Sequence, residues 1–318
     1  MQRHPILYPH TKSNYNNNNL HEYDPYIIRD NVVVIDKSWW NTLAENIKNN
    51  IKNSINTHIL DDVPVPHPIC VDNKEKHLKK IYEAYFHGFD YHVWYSPLIP
   101  NGPQNVHLIP IPKPIKMILK SMFMTGNKQV SNELNEFKKE IAKVMHSGPY
   151  FVRLSSTSGK NEVAIRPLYN ADEVIKHITS NKLFVFQEYD TDKESYLVIM
   201  PWREIDERYE FRIFVSQGKL TGASIQKWFD LIQHSQEELE ICEEVLNNIP
   251  FLDSFESKTY IADVTVDIDT KQCHLIELNP FGAHCGAGSS LFHWVTDYDK
   301  LHGITDDIQL RYLSIINY

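Results

Sequence analysis

The feature that most constrains this chain is a pair of extended stretches toward its C-terminal end. Tyr260 to Ile268 and Cys273 to Leu278 are separated by Asp269-Thr270-Lys271. Two β-prone runs split by a short polar turn read as a hairpin. Side chains alternate along a strand, so Asp263, Thr265 and Asp267 share one face. On the partner strand Glu277 and Asn279 share one face, while Ile276 and Leu278 point the other way. Two carboxylates and an amide oxygen can therefore converge. Hard oxygen donors of this kind suit Mg²⁺, which keeps some waters and completes its shell with phosphates. A buried acidic cluster also needs a counter-charge. The same pattern suits a solvent-facing acidic hairpin edge. Asn279-Pro280-Phe281-Gly282 favours the site, because an Asn–Pro step makes a turn that fixes the Asn side chain at the rim of the sheet.

Other segments could serve the same chemistry. In Glu210-Phe211-Arg212 the charged pair lies on one strand face, and Phe211, Ile213 and Val215 on the other. The guanidinium fork of Arg212 matches phosphate oxygens; a cross-strand ion pair would explain the same residues. Leu154-Ser-Ser-Thr-Ser-Gly-Lys160-Asn161 could cover phosphates with backbone N–H groups and an ammonium, with Arg153 adding charge at the same end. It is not a P-loop, since the GxxxxGK[ST] spacing is absent, and most Ser/Gly loops are only loops. Phe186-Gln187-Glu188-Tyr189 could carry an adenine slot or be an ordinary core strand. His284, Cys285 and His293 do not fit a common zinc-site spacing. No GxSxG elbow is present for a nucleophile.

The remainder sets the frame. With 318 residues, 42% of them hydrophobic, the chain can form one large or two ordinary domains. A net charge of −9 argues against coating nucleic acid, and direct nucleic-acid binding is not expected. Four cysteines without a CxxC pair suit a reducing compartment. There is no secretory leader pattern and no apolar run of ~20 residues, so a cytoplasmic protein without membrane association is expected. Residues 1 to 145 read as helical and irregular. Ser38 could cap a helix through Ile51, residues 73 to 88 could form another, and six prolines between 97 and 114 suggest an extended connection. Ser131 opens a further helix. From 146 to 318 the spacing predicts an α+β domain with a mainly antiparallel sheet flanked by helices. Its strands are expected at 150–154, 183–189, 196–200, 209–215 and 220–226 besides the hairpin. Asn170 caps one helix, and a Ser235/Glu238 capping box opens another.

The order of these elements resembles the ATP-grasp fold, and more narrowly the cell division cycle protein 123 (D123) family. Four segments carry the resemblance: Tyr150 to Lys160, Glu210 to Leu220, Asp263 to Asp267 and Ile276-Glu-Leu-Asn-Pro-Phe-Gly282. They span about residues 150 to 295. Carried over by position, the resemblance implies that Asp263, Glu277 and Asn279 hold Mg²⁺. It implies that Arg212 contacts the phosphates of ATP and acts as the catalytic group if ATP is consumed. Arg153, Lys160 and Glu210 would complete the phosphate side, and Gln187, Glu188 and Tyr189 the adenine side. The chain departs from the family pattern in having Arg153 for a usual Lys and Glu277 for a usual Asp. The run after Gly282 is also richer in Gly. These mark it as a divergent member.

The resemblance further implies an ATP-binding chaperone for assembly of translation initiation factor 2, engaging the gamma subunit. Two other classes use the same site. An ATP-grasp ligase would form an amide-type bond through an acyl-phosphate, joining a carboxylate to an amine or thiol. A nucleotide-regulated interaction protein would bind ATP without turnover.

Overall fold

The computed structural model describes the backbone of four N-terminal strands together with residues 87–126, 130–146, 148–158, 165–180, 194–227, 234–282, 287–294 and 296–314. The elements in chain order are β1 (Gln2–Leu7), β2 (Tyr26–Arg29), β3 (Val32–Asp36), β4 (Thr57–Leu60), α1 (Tyr91–Trp94), β5 (His107–Pro110), α2 (Lys113–Thr125), α3 (Asn132–Val144), β6 (Tyr150–Leu154), α4 (Ala171–Ser180), β7 (Tyr196–Pro201), β8 (Glu210–Ser216), β9 (Lys219–Ile225), α5 (Gln236–Asn247), β10 (Tyr260–Asp267), β11 (Gln272–Asn279), α6 (Tyr298–Leu301) and β12 (Gln309–Ser314). The chain forms two compact units that are interleaved in sequence. One holds residues 1–89, 99–102 and 205–318, and the other residues 90–98 and 103–204. The N-terminal stretch also supplies strands where helix and irregular chain are expected. The candidate helices at 39–51 and 73–88 lie outside the described residues, apart from the last two positions of the second. The 183–189 strand does so entirely.

The first unit is built on a six-stranded sheet of order β1-β12-β9-β8-β10-β11. The strands from β9 to β11 pair antiparallel, whereas β12 is parallel to both β9 and β1. Alternation divides this sheet into two chemically different faces. Val215, Ile213 and Phe211 lie opposite Tyr260, Ala262 and Val264 in register and are all fully buried. Helix α5 packs on β10 and β11, burying Leu239, Cys242 and Leu246. Its Ser235/Glu238 capping box is formed, with Glu238 N donating to Ser235 Oγ (3.2 Å) and Ser235 N to Glu238 Oε2 (2.6 Å). The free thiols of Cys242 and Cys273 are buried here, and burial pushes each up to about 12. The β8–β9 turn places both Gln217 (φ 50°) and Gly218 (φ 78°) in the left-handed region, the conformation that a two-residue hairpin requires.

The second unit has a three-stranded sheet of order β5-β7-β6, with β7 antiparallel to both neighbours. Helices α2, α3 and α4 bury Leu119, Ile141 and Ile178 against Val152, Leu154 and Leu197. The proline-rich stretch does not run extended throughout. It contributes edge strand β5 and then opens α2, with Pro112 at the N-cap and Pro114 in the first turn. Proline costs nothing there, because the first amides of a helix have no intrahelical partner. Ser131 Oγ accepts from Leu134 N (3.1 Å) and caps α3, and Asn170 Oδ1 accepts from Glu173 N (2.9 Å) at the start of α4. Among the described residues no helix is long and apolar enough to cross a membrane.

The other face of the large sheet carries an aromatic cluster at one end. Phe214 meets Phe281, Phe292 and Trp294 edge-on, with ring centroids 6.4, 5.2 and 5.7 Å away. His302 closes it, stacked on Tyr298 at 4.0 Å and edge-on to Phe281 at 5.1 Å. Burial lowers the His302 imidazole to about 4, with Asp299 offsetting only part of this. A lowered folded value means that the unfolded chain takes up a proton that the folded chain refuses. The stabilisation is complete above about pH 6.5 and is lost as pH falls toward about 4. Between pH 7.5 and 5 this residue should remove about 2 kcal/mol of stability. Urea denaturation at the two pH values should show that loss in the wild-type chain, and His302→Gln should abolish most of it.

Candidate functional site

The hairpin forms, and β8 lies beside it. Asp263 on β10 faces Arg212 on β8 and Glu277 on β11, so a guanidinium and two carboxylates stand in one row across three strands. The next position in each direction adds Asn279, opposite Ile261, and Glu210, opposite Thr265. A β-bulge makes this row possible. Asp263 pairs with Glu277 but Val264 pairs with Leu275, leaving Ile276 as an extra residue. Strict alternation would place Cys273 and Leu275 on the same face as Glu277. The bulge returns both to the buried apolar face and leaves Glu277 on the polar one.

Arg212 and Asp263 form a two-point fork. Arg212 Nε donates to Asp263 Oδ1 at 2.8 Å and Nη2 donates to Oδ2 at 2.9 Å. The side chains are 9% and 1% exposed. A third donor, Arg212 Nη1, reaches the carbonyl oxygen of Gly288 at 3.2 Å. Burial alone would lower the guanidinium pKa. The Asp263 charge and its hydrogen bonds, with Glu277 and Glu210 nearby, outweigh that and raise it. Asn279 Nδ2 donates to Asp263 Oδ2 at 3.4 Å. Among the described residues, three carboxylates and an amide thus gather around one guanidinium.

The structure brings together Glu210, Arg212, Asp263, Glu277 and Asn279. Arg153 lies in the second unit on β6, buried, with Nε donating to Leu154 O (3.1 Å) and its guanidinium 5.4 Å from the Tyr91 ring. Lys160, Gln187, Glu188, Tyr189, His284 and Cys285 lie outside the described residues. Sequence reading missed the carbonyl of Gly288 on Arg212. It also missed Ser224, which faces Arg212 from β9. A backbone carbonyl leaves no signature in a sequence, and a lone serine in a strand is too common to single out.

The chemistry of the donor set suits Mg²⁺. Carboxylate oxygens from Asp263 and Glu277 are the hard donors that this ion takes, in a number small enough to leave room for water and phosphate. Asn279 approaches Asp263 with its nitrogen, and the opposite amide orientation would present its oxygen to a cation. Both Asp263 oxygens already accept from Arg212, but a carboxylate oxygen has a second lone pair to offer. The residues present fit the ion.

The structure of Cdc123 from Schizosaccharomyces pombe superposes on this chain with a TM-score of 0.58 at 18% identity, covering 72% of this chain and 97% of that one. The superposition shows an α+β fold of the kind that Cdc123 has. The family model described as D123 matches residues 118–316, well over half of the chain. The chain belongs to the D123 family. It is 26% identical over 194 residues to the translation initiation factor eIF2 assembly protein of Candida albicans, covering 54% of this chain and 55% of that protein. It is 27% identical over 165 residues to a CDC123-like protein of Acanthamoeba polyphaga mimivirus, covering 46% and 50%. The chain spans about half the length of the curated relatives it matches.

The fork makes a stability prediction that does not depend on any ligand. Removing one member of a buried pair strands the other charge and typically costs ~3–5 kcal/mol, whereas replacing both with apolar groups is close to neutral. Arg212→Met should therefore destabilise the chain by about 3–5 kcal/mol, and Arg212→Met with Asp263→Leu by much less. Equilibrium denaturation of the two variants beside the wild type measures the difference.

Proposed function

We propose that this chain binds ATP through Mg²⁺ and serves as an assembly chaperone for translation initiation factor 2, engaging its gamma subunit. The observation that carries the nucleotide reading is the row of buried Arg212 and Asp263 with half-buried Glu277, and Asn279 beside it. The row lies within the segment that matches the family model. The partner is taken from relatives named as eIF2 assembly proteins.

Asp263 and Glu277 would hold the metal, and Asn279 would offer its amide oxygen in the opposite amide orientation. Bound Mg²⁺ would neutralise and orient the phosphates of ATP. Arg212 stays fixed by Asp263 and offers its remaining N–H bonds to phosphate oxygens, since five donors exceed the three used here. Glu210 adds negative charge on the same sheet face, which favours the guanidinium there after Asp263 and Glu277. The family resemblance assigns phosphate contacts to Arg153 and Lys160 and adenine contacts to residues 187 to 189, and these assignments are part of the proposal. The expected location is the cytoplasm, where the factor would be assembled.

Glu277→Gln separates ligation from folding, because Glu277 is half-buried and stands outside the Arg212 fork. Calorimetry should show Mg-ATP affinity falling at least about tenfold, equivalent to ~1.4 kcal/mol. ATP binding in EDTA should be weak and equal in wild type and variant. Equal affinity for Mg-ATP in both would remove Glu277 from the site. ADP release assayed with and without the purified gamma subunit distinguishes the classes. A chaperone binds the subunit with little turnover, whereas steady ADP formation with a carboxylate and an amine would mark a ligase.

A further inference from the structure

Two arginines on the polar face of the large sheet hold the same loop. Arg212 on β8 donates to Gly288 O, and Arg311 on β12 donates from Nη1 to Leu291 O at 3.1 Å. Each has its own carboxylate. Arg311 forks onto Asp297 with contacts of 2.6 and 2.7 Å, and both side chains are 12% exposed. Asp297 Oδ2 also accepts from His293 N at 2.8 Å. Gln309 Oε1 accepts from Arg311 Nε and Nη2 at 3.1 and 3.0 Å, and the guanidinium lies 4.0 Å from the centroid of the Phe292 ring.

Ser224 stands between the two arginines, facing Arg212 on one side and Arg311 on the other. It is fully buried, and its Oγ accepts from Leu291 N at 3.1 Å. Ser290 Oγ donates to Gln226 Oε1 at 3.0 Å. The Phe292 ring fills the space that a side chain would take at Gly222, where a Cβ would sit 2.9 Å from Cζ. Gly288, Leu291 and Phe292 are thus tied to β8, β9 and β12.

We infer that Arg311 is a positioning residue for the Arg212–Asp263 end of the site, acting through the 288–293 segment. Holding Leu291 and Phe292 fixes where the Gly288 carbonyl falls. That carbonyl takes an Arg212 N–H on the side away from Asp263, so the guanidinium plane is held from both sides. A lysine at 311 keeps the charge but cannot fork onto Asp297, reach Leu291 O and lie flat on Phe292 together. The consequence for Mg-ATP affinity rests on the function proposed above.

The direct readout is hydrogen exchange at the Arg212 Nε–H, followed by ¹⁵N NMR on the full chain. In the wild type the Asp263 bond should slow this exchange. In folded Arg311→Lys it should accelerate at least about tenfold, an effect of local opening rather than of global stability. Arg311→Gln should behave alike, and Mg-ATP affinity should drop about fivefold in both. Unchanged Arg212 exchange in a folded variant overturns the inference. Failure of the wild-type chain to bind Mg-ATP overturns the proposed function instead, and the exchange result still decides the role of Arg311. If the Arg311 variants do not fold, Ser224→Ala removes the acceptor for Leu291 N–H, together with a local donation from Ser224 Oγ to Ile225 O. Faster Arg212 exchange there supports the coupling, and unchanged exchange refutes it.

Discussion

The buried fork between Arg212 and Asp263 is the contact on which the polar face of the sheet depends. Two ions taken out of water gain little net stability, because their desolvation roughly cancels their attraction. What such a pair supplies is geometry. Each guanidinium nitrogen has a set direction, and three donors of Arg212 are assigned to Asp263 and to Gly288. A carboxylate held at two points presents its remaining lone pairs in fixed directions, as a metal ligand must. The ion pair and the proposed metal site are two uses of one arrangement.

The two faces of the sheet explain how that arrangement is kept. One face is apolar, with α5 packed on its β10 and β11 strands, and the other carries the polar row beside an aromatic cluster. The aromatic residues 281, 292 and 294 come from the chain that follows the hairpin and cover Phe214. A charged row needs such a neighbour, since excluding water strengthens each hydrogen bond and makes any unmade one expensive.

Much of this was legible in the sequence where the signal is local. Helix starts at Ser131, Asn170 and Ser235 follow from side chains that accept their own backbone amides. The hairpin strands and β8 follow from alternation. Two elements were misjudged for identifiable reasons. Pro112 and Pro114 signal a break inside a helix but are neutral in its first turn, which hid α2. Strand β1 pairs with β12 across almost the whole chain, and a pairing that distant leaves no local trace.

The site divides along the same line. Sequence by itself determined the donor types and their spacing: Asp263, Glu277 and Asn279 on a hairpin, with Glu210 and Arg212 on a strand of matching alternation. Only the tertiary structure decided that β8 lies beside β10, which turns Arg212 onto Asp263. It decided as well that a bulge at Ile276 keeps Glu277 on the polar face while Leu275 returns to the core. The Gly288 carbonyl, Ser224 and the Arg311–Asp297 pair likewise became visible only in space. The physical reason is that alternation sets which way a side chain points along its own strand. Strand neighbours and register are set by burial summed over the whole sheet.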